Sequence, residues 1–346
     1  MLLKRFPNAT DDQLREAHAY AYGGAIIQDM GYYPFGSKFF SDLVHYTRSG
    51  DFVLALLKDA QASGDINDYA FALGSLAHYA ADNLGHPVAV NRTVPLVYPK
   101  LRAKFGPEVT YEDDPGAHLK TEFGFDVIEV ARGQYANEAY HDFIGFKVAK
   151  PLLEQAFEET YCVKLKDLFK SLDLALGTYR FSVSQAIPEM TKAAWSAKKK
   201  DIQSLQAGMT RGRYLYHLKI SAYQKDFDNQ YQKPGVGARF MAFLFRLLPK
   251  IGPLKAFSFK VPPPAAEKMF LASLDDTIRR YKELLTSADE NRLQLPNEDF
   301  DTGKPSRMGE YRMADETYAK LIERLKHDNL QPSAGLQANI AAFYGR

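Results

Sequence analysis

The sequence predicts an all-α fold, and two observations support this prediction. Apolar residues recur with helical spacing along most of the 346-residue chain, and helix-capping residues precede several of these segments. The sequence shows no sustained alternation of polar and apolar residues, the pattern typical of strands. Hydrophobic residues make up 46% of the chain and charged residues 25%, so we expect a multi-helix bundle with a substantial core rather than a disordered chain.

The first helices are predicted from their capping residues. Thr10, followed by Gln13, resembles a capping box that opens a helix. Gly23 and Gly24 near the end of this helix allow a neighbouring segment to approach closely. The expected starts of the next three helices are Ser37, Asp51 and either Asn67 or Asp68.

A break is predicted after the fourth helix. Gly85 and Pro87 end that helix, and we expect an irregular connection over residues 87–113. Asp114 then predicts an N-cap with Pro115 at the first helical position. Further helical patterns cover residues 116–132, 138–160, 164–200, 205–230, 236–248, 264–287 and 314–327. We therefore divide the chain into a first domain, residues 1–200, and a helical C-terminal extension of unassigned role, residues 201–346.

Charge, cysteine content and hydropathy exclude several classes of protein. The formal net charge of +2 gives no reason to expect a stable nucleic-acid complex. The single cysteine, Cys162, excludes an intrachain disulfide and a cysteine-based metal site. The apolar stretch 240–245 ends at Arg246, far short of the roughly 20 apolar residues of a membrane span. Residues 1–7 lack the apolar core of a secretory signal, so either the protein is cytoplasmic or its native N-terminus lies further upstream.

Two histidines are followed four residues later by a carboxylate. His78 precedes Asp82 and His118 precedes Glu122, and positions i and i+4 share one face of a helix, from which both side chains can reach one metal ion. With 42 acidic residues among 346, eight histidines would give about one such pair by chance, so a single pair is weak evidence. A surface salt bridge or a packed histidine is the alternative for each pair.

The order of the candidate ligands along the chain is more specific. Asp29 and His45 precede the first pair, and His86 follows it. The sequences AIIQD at residues 25–29 and HYAADNLGH at residues 78–86 are similar to the metal-binding helices of one family. Together, this order and these sequences resemble the zinc-dependent phospholipase C family, which shares an all-helical scaffold with the S1/P1-type nucleases.

The resemblance, which covers roughly residues 15–190, implies two zinc sites. The implied ligands of the first zinc are Asp29, His45, His78 and Asp82, and those of the second are His86, His118 and Glu122. Asp29 is also implied as the catalytic general base. The resemblance further implies that the 1–200 domain is the catalytic bundle of a periplasmic or secreted enzyme.

A third metal ion is the point at which the sequence departs from the family. The family binds this ion through an N-terminal tryptophan and a nearby histidine, whereas the one tryptophan here is Trp195 and no histidine precedes His18. The spacing from Asp82 to His86 is also shorter than in the family, which a turn at the end of the helix would accommodate. We expect a truncated N-terminus, whose missing upstream segment carries these ligands and the signal. His18 is either a substitute ligand or a packed histidine.

The ligand types indicate the metal and the reaction. Imidazole and carboxylate suit zinc, whereas calcium and magnesium prefer all-oxygen ligands. With neutral histidines, three carboxylates against two Zn²⁺ ions leave one positive charge, which suits a phosphate ester. We expect a zinc-dependent phosphoric-ester hydrolase that cleaves a phospholipid head-group phosphodiester by metal-activated water. An S1/P1-type nuclease or nucleotidase, and a metal-binding protein without turnover, are the alternatives.

Five further residues lie near the implied ligands in the sequence. Tyr32, Tyr33 and Phe35 either line the mouth of a pocket or pack in the protein. Asp126 either orients a ligand histidine or forms an ion pair or helix cap. Asn83 either binds substrate or ends a helix.

Residues 238–260 combine basic and aromatic residues in a short amphipathic pattern. This composition suits peripheral contact with a membrane surface, where a phospholipase meets its substrate. Packing against the catalytic bundle is the alternative.

Overall fold

A computed structural model of the chain describes residues 1–132, 146–182 and 259–345, together with positions 195, 199–200, 203 and 210–211. Helices dominate these residues, which confirms the predicted all-α class. The helices are α1 (Leu2–Arg5), α2 (Asp11–Gly24), α3 (Lys38–Tyr46), α4 (Ser49–Ser63), α5 (Ile66–Gly85), α6 (Asn91–Val97), α7 (Pro99–Phe105), α8 (Pro115–Arg132), α9 (Lys150–Tyr161), α10 (Leu172–Phe181), α11 (Pro264–Asp289), α12 (Arg312–His327) and α13 (Ala334–Phe343). Shorter elements are the 3-10 turns Ile27–Tyr32 and Leu165–Leu168 and the π turn His86–Val90.

The chain divides into two compact units, each built from separate stretches of the sequence. The first unit contains Met1–Pro87, Phe146–Tyr179 and Ser273–Arg346, and the second contains Val88–Gly145 and Arg180–Ala272. The division into a 1–200 catalytic bundle and a 201–346 extension stays a prediction.

Side-chain caps fix several helix starts where the sequence predicts them. Thr10 and Gln13 form the capping box of α2. Ser37 accepts a hydrogen bond from a backbone N–H in the first turn of α3, and Asp114 does the same for α8. These predictions are confirmed because a cap depends on residues only two or three positions apart.

Two helix starts differ from the prediction. α4 begins at Ser49 rather than Asp51. α5 is capped by Asp65, whose carboxylate accepts hydrogen bonds from the backbone N–H groups of Asn67 and Asp68. The residues predicted to cap α5 are therefore donors in its first turn.

Residues 87–113 were predicted to be irregular, and that prediction is wrong for most of residues 87–105, whereas residues 106–113 form neither helix nor strand. α5 ends at Gly85, as predicted, but the π turn follows it without a break, and α6 and α7 come next. Pro99 occupies the first turn of α7. Backbone N–H groups in a first turn have no acceptor within the helix, so proline, which lacks this group, costs no hydrogen bond there. Pro95 lies inside the short α6. Pro87, which predicted the break, lies within the π turn, so Pro87, Pro95 and Pro99 all lie in or at the start of helical elements.

α2 and α5 approach so closely that glycine is required at their contact. A Cβ atom at Gly24 would lie 1.9 Å from the carbonyl oxygen of Phe71, and one at Gly74 would lie 2.0 Å from that of Ala21. The predicted close approach at Gly24 is confirmed. This contact fixes the position of α5, which carries His78 one turn beyond Gly74.

A short hairpin in the first unit was not predicted. Strands β1 (Glu298–Asp299) and β2 (Lys304–Pro305) pair antiparallel, and Gly303 turns the chain with a φ of 66°. A Cβ atom at Gly303 would lie 2.6 Å from the carbonyl oxygen of Asn83, so the hairpin lies directly against the end of α5. Strands of two residues are too short to show an alternating pattern.

Some sequence predictions concern residues that the structure does not describe. They are the greater part of the amphipathic segment 238–260 and the helical patterns at 205–230 and 236–248. Among helices in the described ranges, none combines the length and the apolar content of a membrane-spanning segment.

Candidate metal centre

The four residues predicted to bind the first zinc converge in the first unit. Nε2 of His45 lies 3.4 Å from Oδ1 of Asp29 and 3.5 Å from Oδ2 of Asp82. Nε2 of His78 lies 3.1 Å from the same Asp82 oxygen and 3.4 Å from Nε2 of His45. The structure thus brings together side chains from the first 3-10 turn, α3 and α5.

Backbone carbonyl groups orient both imidazole rings. Nδ1 of His45 lies 2.7 Å from the carbonyl oxygen of Ser41, and Nδ1 of His78 lies 3.0 Å from that of Ala25. A carbonyl oxygen only accepts hydrogen bonds, so in each neutral ring Nδ1 carries the proton and Nε2 presents a lone pair. Metal-binding histidines are commonly held in this way.

Hydrogen bonds from the turn that carries Asp29 fix its position. The neighbouring Gln28 is fully buried and donates to the hydroxyl and carbonyl oxygens of Ser75 on α5, at 2.9 and 3.1 Å. Ser41 on α3 donates to the carbonyl oxygen of Gln28 at 2.5 Å and accepts a bond from a backbone N–H of the turn at 2.9 Å. The turn is therefore tied to both helices that supply the other ligands.

The imidazole nitrogens and carboxylate oxygens of this cluster fit the ligand shell of a zinc ion. In a tetrahedral site with zinc–ligand bonds of about 2.0–2.1 Å, neighbouring ligand atoms lie about 3.3–3.4 Å apart. Four of the six separations between these atoms, 3.1, 3.4, 3.4 and 3.5 Å, fall around this value. Two imidazole lone pairs and two carboxylates are all acceptors, so their convergence requires a cation, either a proton or a metal ion.

Protons supply the positive charge when no metal is bound. Burial lowers the pKa of His45, but hydrogen bonds to Asp29 and Asp82 outweigh burial and raise this pKa to about 9. Burial also lowers the pKa of His78, and the charges of the same two carboxylates produce a net increase. Burial raises the pKa of Asp82, yet the charges of His78 and His86 hold it well below its ordinary value. A metal ion at this position therefore competes with protons.

The cluster is accessible to solvent on the side where Asp29 lies. Its side chain is 39% exposed, whereas the side chains of His45 and His78 are 5% and 6% exposed. Tyr32 and Phe35 are both exposed, and the ring centroid of Tyr32 lies 5.6 Å from that of His45. Their predicted place at a pocket mouth stays a prediction, which this exposure favours.

The other residues near the implied ligands are placed as follows. Tyr33 packs edge-on against Tyr179, with centroids 4.9 Å apart, as its packing alternative predicts. The side-chain nitrogen and oxygen of Asn83 are buried and have no hydrogen-bond partner within the described residues. Asp126 is exposed. His18 is also exposed, so the expectation of a packed histidine there is wrong.

His86 follows Asp82 in the same unit, at the end of α5. Its Nδ1 lies 3.2 Å from the carbonyl oxygen of Phe300 and 3.7 Å from Oδ1 of Asp301. The helix ends at Gly85, and the chain continues from His86 as a π turn. The role of His86 as a zinc ligand stays a prediction.

His118 and Glu122 form an i,i+4 pair on α8 in the second unit. Nε2 of His118 lies 2.9 Å from Oε1 of Glu122, and the His118 side chain is buried. The ring of Tyr111 packs edge-on against it, with centroids 5.5 Å apart. Because His86 belongs to the first unit, the grouping of these three ligands around one zinc stays a prediction.

Two residues next to the cluster were missed by the sequence analysis. Phe300 is fully buried, with its ring centroid 5.2 Å from His45 and 5.9 Å from His78. Its backbone N–H donates to the carbonyl oxygen of His45 at 3.2 Å. The neighbouring Asp301 faces His86. The one available signal was an aromatic residue among the carboxylates of residues 298–301, and nothing linked it to ligands more than 200 positions away.

Comparisons with known proteins show which family the N-terminal half resembles. The family model described as zinc dependent phospholipase C matches residues 1–170. The search of curated proteins and the search of solved structures find no match. The matched segment contains all seven predicted ligands and ends well before Phe300 and Asp301. Residues 1–170 of this chain are therefore similar to the zinc dependent phospholipase C family.

Proposed function

We propose that this chain hydrolyses phosphoric esters and that its substrates are phospholipids, cleaved between glycerol and the head-group phosphate. Its N-terminal half is similar to a family of zinc-dependent phospholipases C, which supports a zinc-dependent phosphoesterase. The observation that carries the proposal is the convergence of Asp29, His45, His78 and Asp82, with four pairs of ligand atoms 3.1–3.5 Å apart.

These four residues are the proposed ligands of one Zn²⁺ ion. His86, His118 and Glu122 remain the proposed ligands of a second. When bound, zinc acts as a Lewis acid toward phosphoryl oxygens and lowers the pKa of a coordinated water to about 7. The protein contributes rigid, correctly protonated imidazoles, because Nδ1 of His45 and Nδ1 of His78 are already bonded to backbone carbonyls.

Asp29 is the proposed general base. It is the most exposed of the four carboxylate and imidazole groups, so a water molecule can approach it from solvent. Its carboxylate accepts a proton from the water that attacks phosphorus. As the water oxygen bonds to phosphorus, the bond from phosphorus to the glycerol oxygen breaks, and this oxygen takes a proton from solvent to give the diacylglycerol.

Aromatic side chains next to the cluster suit a lipid substrate. Tyr32 and Phe35 expose 39% and 50% of their surfaces, on the segment that follows Asp29. An exposed aromatic rim can contact acyl chains while the phosphate lies deeper. We also propose a periplasmic or secreted location, as the family resemblance implies.

A substrate panel tests this function. The full chain, supplied with Zn²⁺, is assayed on phosphatidylcholine vesicles, p-nitrophenylphosphorylcholine and single-stranded DNA. We expect release of phosphocholine and diacylglycerol from the vesicles. Cleavage of DNA alone would favour the nuclease alternative, and bound zinc without turnover of any substrate would favour the metal-binding alternative.

The base role of Asp29 is tested by Asp29→Asn. The amide keeps an oxygen that can bind zinc but does not accept a proton. We expect kcat to fall by about 100-fold or more while zinc remains bound. Asp12→Asn, on the exposed first turn of α2, is the control and should leave kcat unchanged.

A further inference from the structure

The chain beyond the family match contributes to the surroundings of His86. Residues 298–305 form the hairpin that lies against the end of α5, and they follow the family-matched segment by more than 100 residues. Three contacts link this hairpin to the candidate metal centre: Phe300 to the rings of His45 and His78, the Phe300 carbonyl to Nδ1 of His86, and Asp301 to the same nitrogen.

The three histidines of the first unit share one arrangement. Nδ1 of His45, His78 and His86 lies 2.7, 3.0 and 3.2 Å, respectively, from a backbone carbonyl oxygen. In the first two, this contact leaves Nε2 directed at the other donor atoms of the cluster. The common pattern indicates that His86 also carries its proton on Nδ1 and offers Nε2 as a ligand atom.

Asp301 differs from the carbonyl partners because it carries a charge. Its side chain is 2% exposed, and Oδ1 lies 3.7 Å from Nδ1 of His86. This separation is too long for a direct hydrogen bond but close enough for a strong electrostatic effect in a buried setting. The hydroxyl of Tyr311 donates to Oδ2 and thereby fixes the orientation of the carboxylate.

We propose that Asp301 is a positioning residue of the metal centre, holding His86 in the Nδ1–H form so that Nε2 binds the metal. This proposal rests on the proposed function through the assignment of His86 as a ligand. A carboxylate on the far side of an imidazole raises the basicity of the ligand nitrogen and fixes its tautomer, and such partners commonly change metal affinity by about 10–100-fold. The metal centre then depends on residues outside the family-matched segment.

The experiment compares Asp301→Ala, Asp301→Asn and the control Asp299→Asn. Asp299 is equally buried, but its carboxylate accepts hydrogen bonds from Thr302 in the hairpin turn. Asp301→Asn preserves the shape and an acceptor, so it separates loss of charge from misfolding, which thermal unfolding of each variant monitors.

Zinc affinity is measured by competition with a chromophoric chelator. We expect Asp301→Ala to weaken one class of zinc site by about 10–100-fold, Asp301→Asn to have an intermediate effect, and Asp299→Asn to bind like the wild type. Wild-type zinc affinity in both folded Asp301 variants would overturn the proposal. Absence of zinc binding by the wild type would instead contradict the proposed function.

The tautomer of His86 gives a second measurement that needs no metal. Nitrogen-15 chemical shifts of the neutral ring in the metal-free protein distinguish Nδ1–H from Nε2–H. We expect the Nδ1–H form in the wild type and a shift toward Nε2–H in Asp301→Ala. A wild-type ring protonated on Nε2, or a tautomer that Asp301→Ala leaves unchanged, would contradict the positioning role.

Discussion

The Nε2 atoms of His45 and His78 lie 3.4 Å apart, with their ring planes nearly perpendicular. Each ring is fixed from behind by a backbone carbonyl on Nδ1, so neither can rotate Nε2 away without losing that hydrogen bond. Two lone pairs at this distance repel each other unless a cation lies between or beside them. The fold thus holds the two imidazoles in a geometry that a proton or a metal ion stabilises.

Zinc binding should release protons near neutral pH. The pKa of His45 is raised to about 9, so this ring is protonated at pH 7 in the metal-free protein and must lose its proton to bind zinc. Affinity for zinc should therefore increase as pH rises from 7 toward 9. Isothermal titration calorimetry at pH 7, in two buffers of different ionisation enthalpy, measures the proton count. Binding heats that are independent of the buffer would contradict this prediction.

The stability of the metal-free protein should fall as the solution becomes alkaline. The pKa of His45 is higher in the folded state than the ordinary value of 6.5. The contribution of this histidine to the free energy of unfolding is therefore fully present below pH 6.5. That contribution is lost as pH rises through about 9, and its upper limit is about 3 kcal/mol. Thermal unfolding of the metal-free chain between pH 6 and 10 tests this. The matched variant His45→Gln should show a flatter profile, and an equally steep profile in this variant would contradict the assignment to His45.

Local features of the fold were predictable from the sequence, and contacts between distant residues were not. Thr10, Ser37 and Asp114 cap helices as expected because each cap involves residues two or three positions apart. Pro87 was misleading because a proline that ends a helix and one that lies in a following helical turn look alike without knowledge of the hydrogen bonds around it.

The same difference between local and distant contacts holds for the candidate site. His78 and Asp82 share a helix face, so their spacing alone predicted the contact. Asp29 and His45 were placed by resemblance to a family, and the structure brings them within 3.4 Å of each other. Phe300 contacts the same histidines from a hairpin with two-residue strands, and neither periodicity nor a motif indicates such a contact.

Phe300 should affect both stability and zinc affinity. Its ring is fully buried against His45, His78 and Tyr79, so Phe300→Ala leaves a cavity and should lower the free energy of unfolding by about 3–5 kcal/mol. Zinc affinity should also decrease because the two imidazoles lose a packing neighbour.

The matched control for this prediction is Phe343→Ala. Phe343 is buried and stacks on Tyr318, in a core cluster of the first unit that contains none of the proposed ligands. We expect a similar loss of stability but unchanged zinc affinity in the folded protein. Equal zinc affinities in the two variants would show that Phe300 acts only through overall stability.

The contact between α2 and α5 should tolerate no side chain. A Cβ atom at Gly74 would lie 2.0 Å from the carbonyl oxygen of Ala21 and 2.7 Å from the backbone nitrogen of Ala25. Gly74→Ala must therefore displace α2, and with it the Ala25 carbonyl that orients His78. We expect a loss of about 1–3 kcal/mol in the free energy of unfolding, together with weaker zinc binding.

Gly177→Ala is the comparison for this substitution. Gly177 lies within α10 with open space around its Cβ position, so alanine there should stabilise the protein by up to about 1 kcal/mol. Chemical denaturation of both variants gives the two values. A stable Gly74→Ala protein with wild-type zinc affinity would contradict the close-packing account.

The most direct measurement is the zinc content of the purified full chain and two histidine variants, determined by elemental analysis after dialysis against metal-free buffer. The account predicts at least one zinc ion per wild-type chain, loss of at least one equivalent in His78→Ala, and wild-type content in His18→Ala, whose histidine is exposed on α2. Wild-type protein without zinc, or a His78→Ala variant that retains the full wild-type content, would contradict the claim that Asp29, His45, His78 and Asp82 form a zinc site.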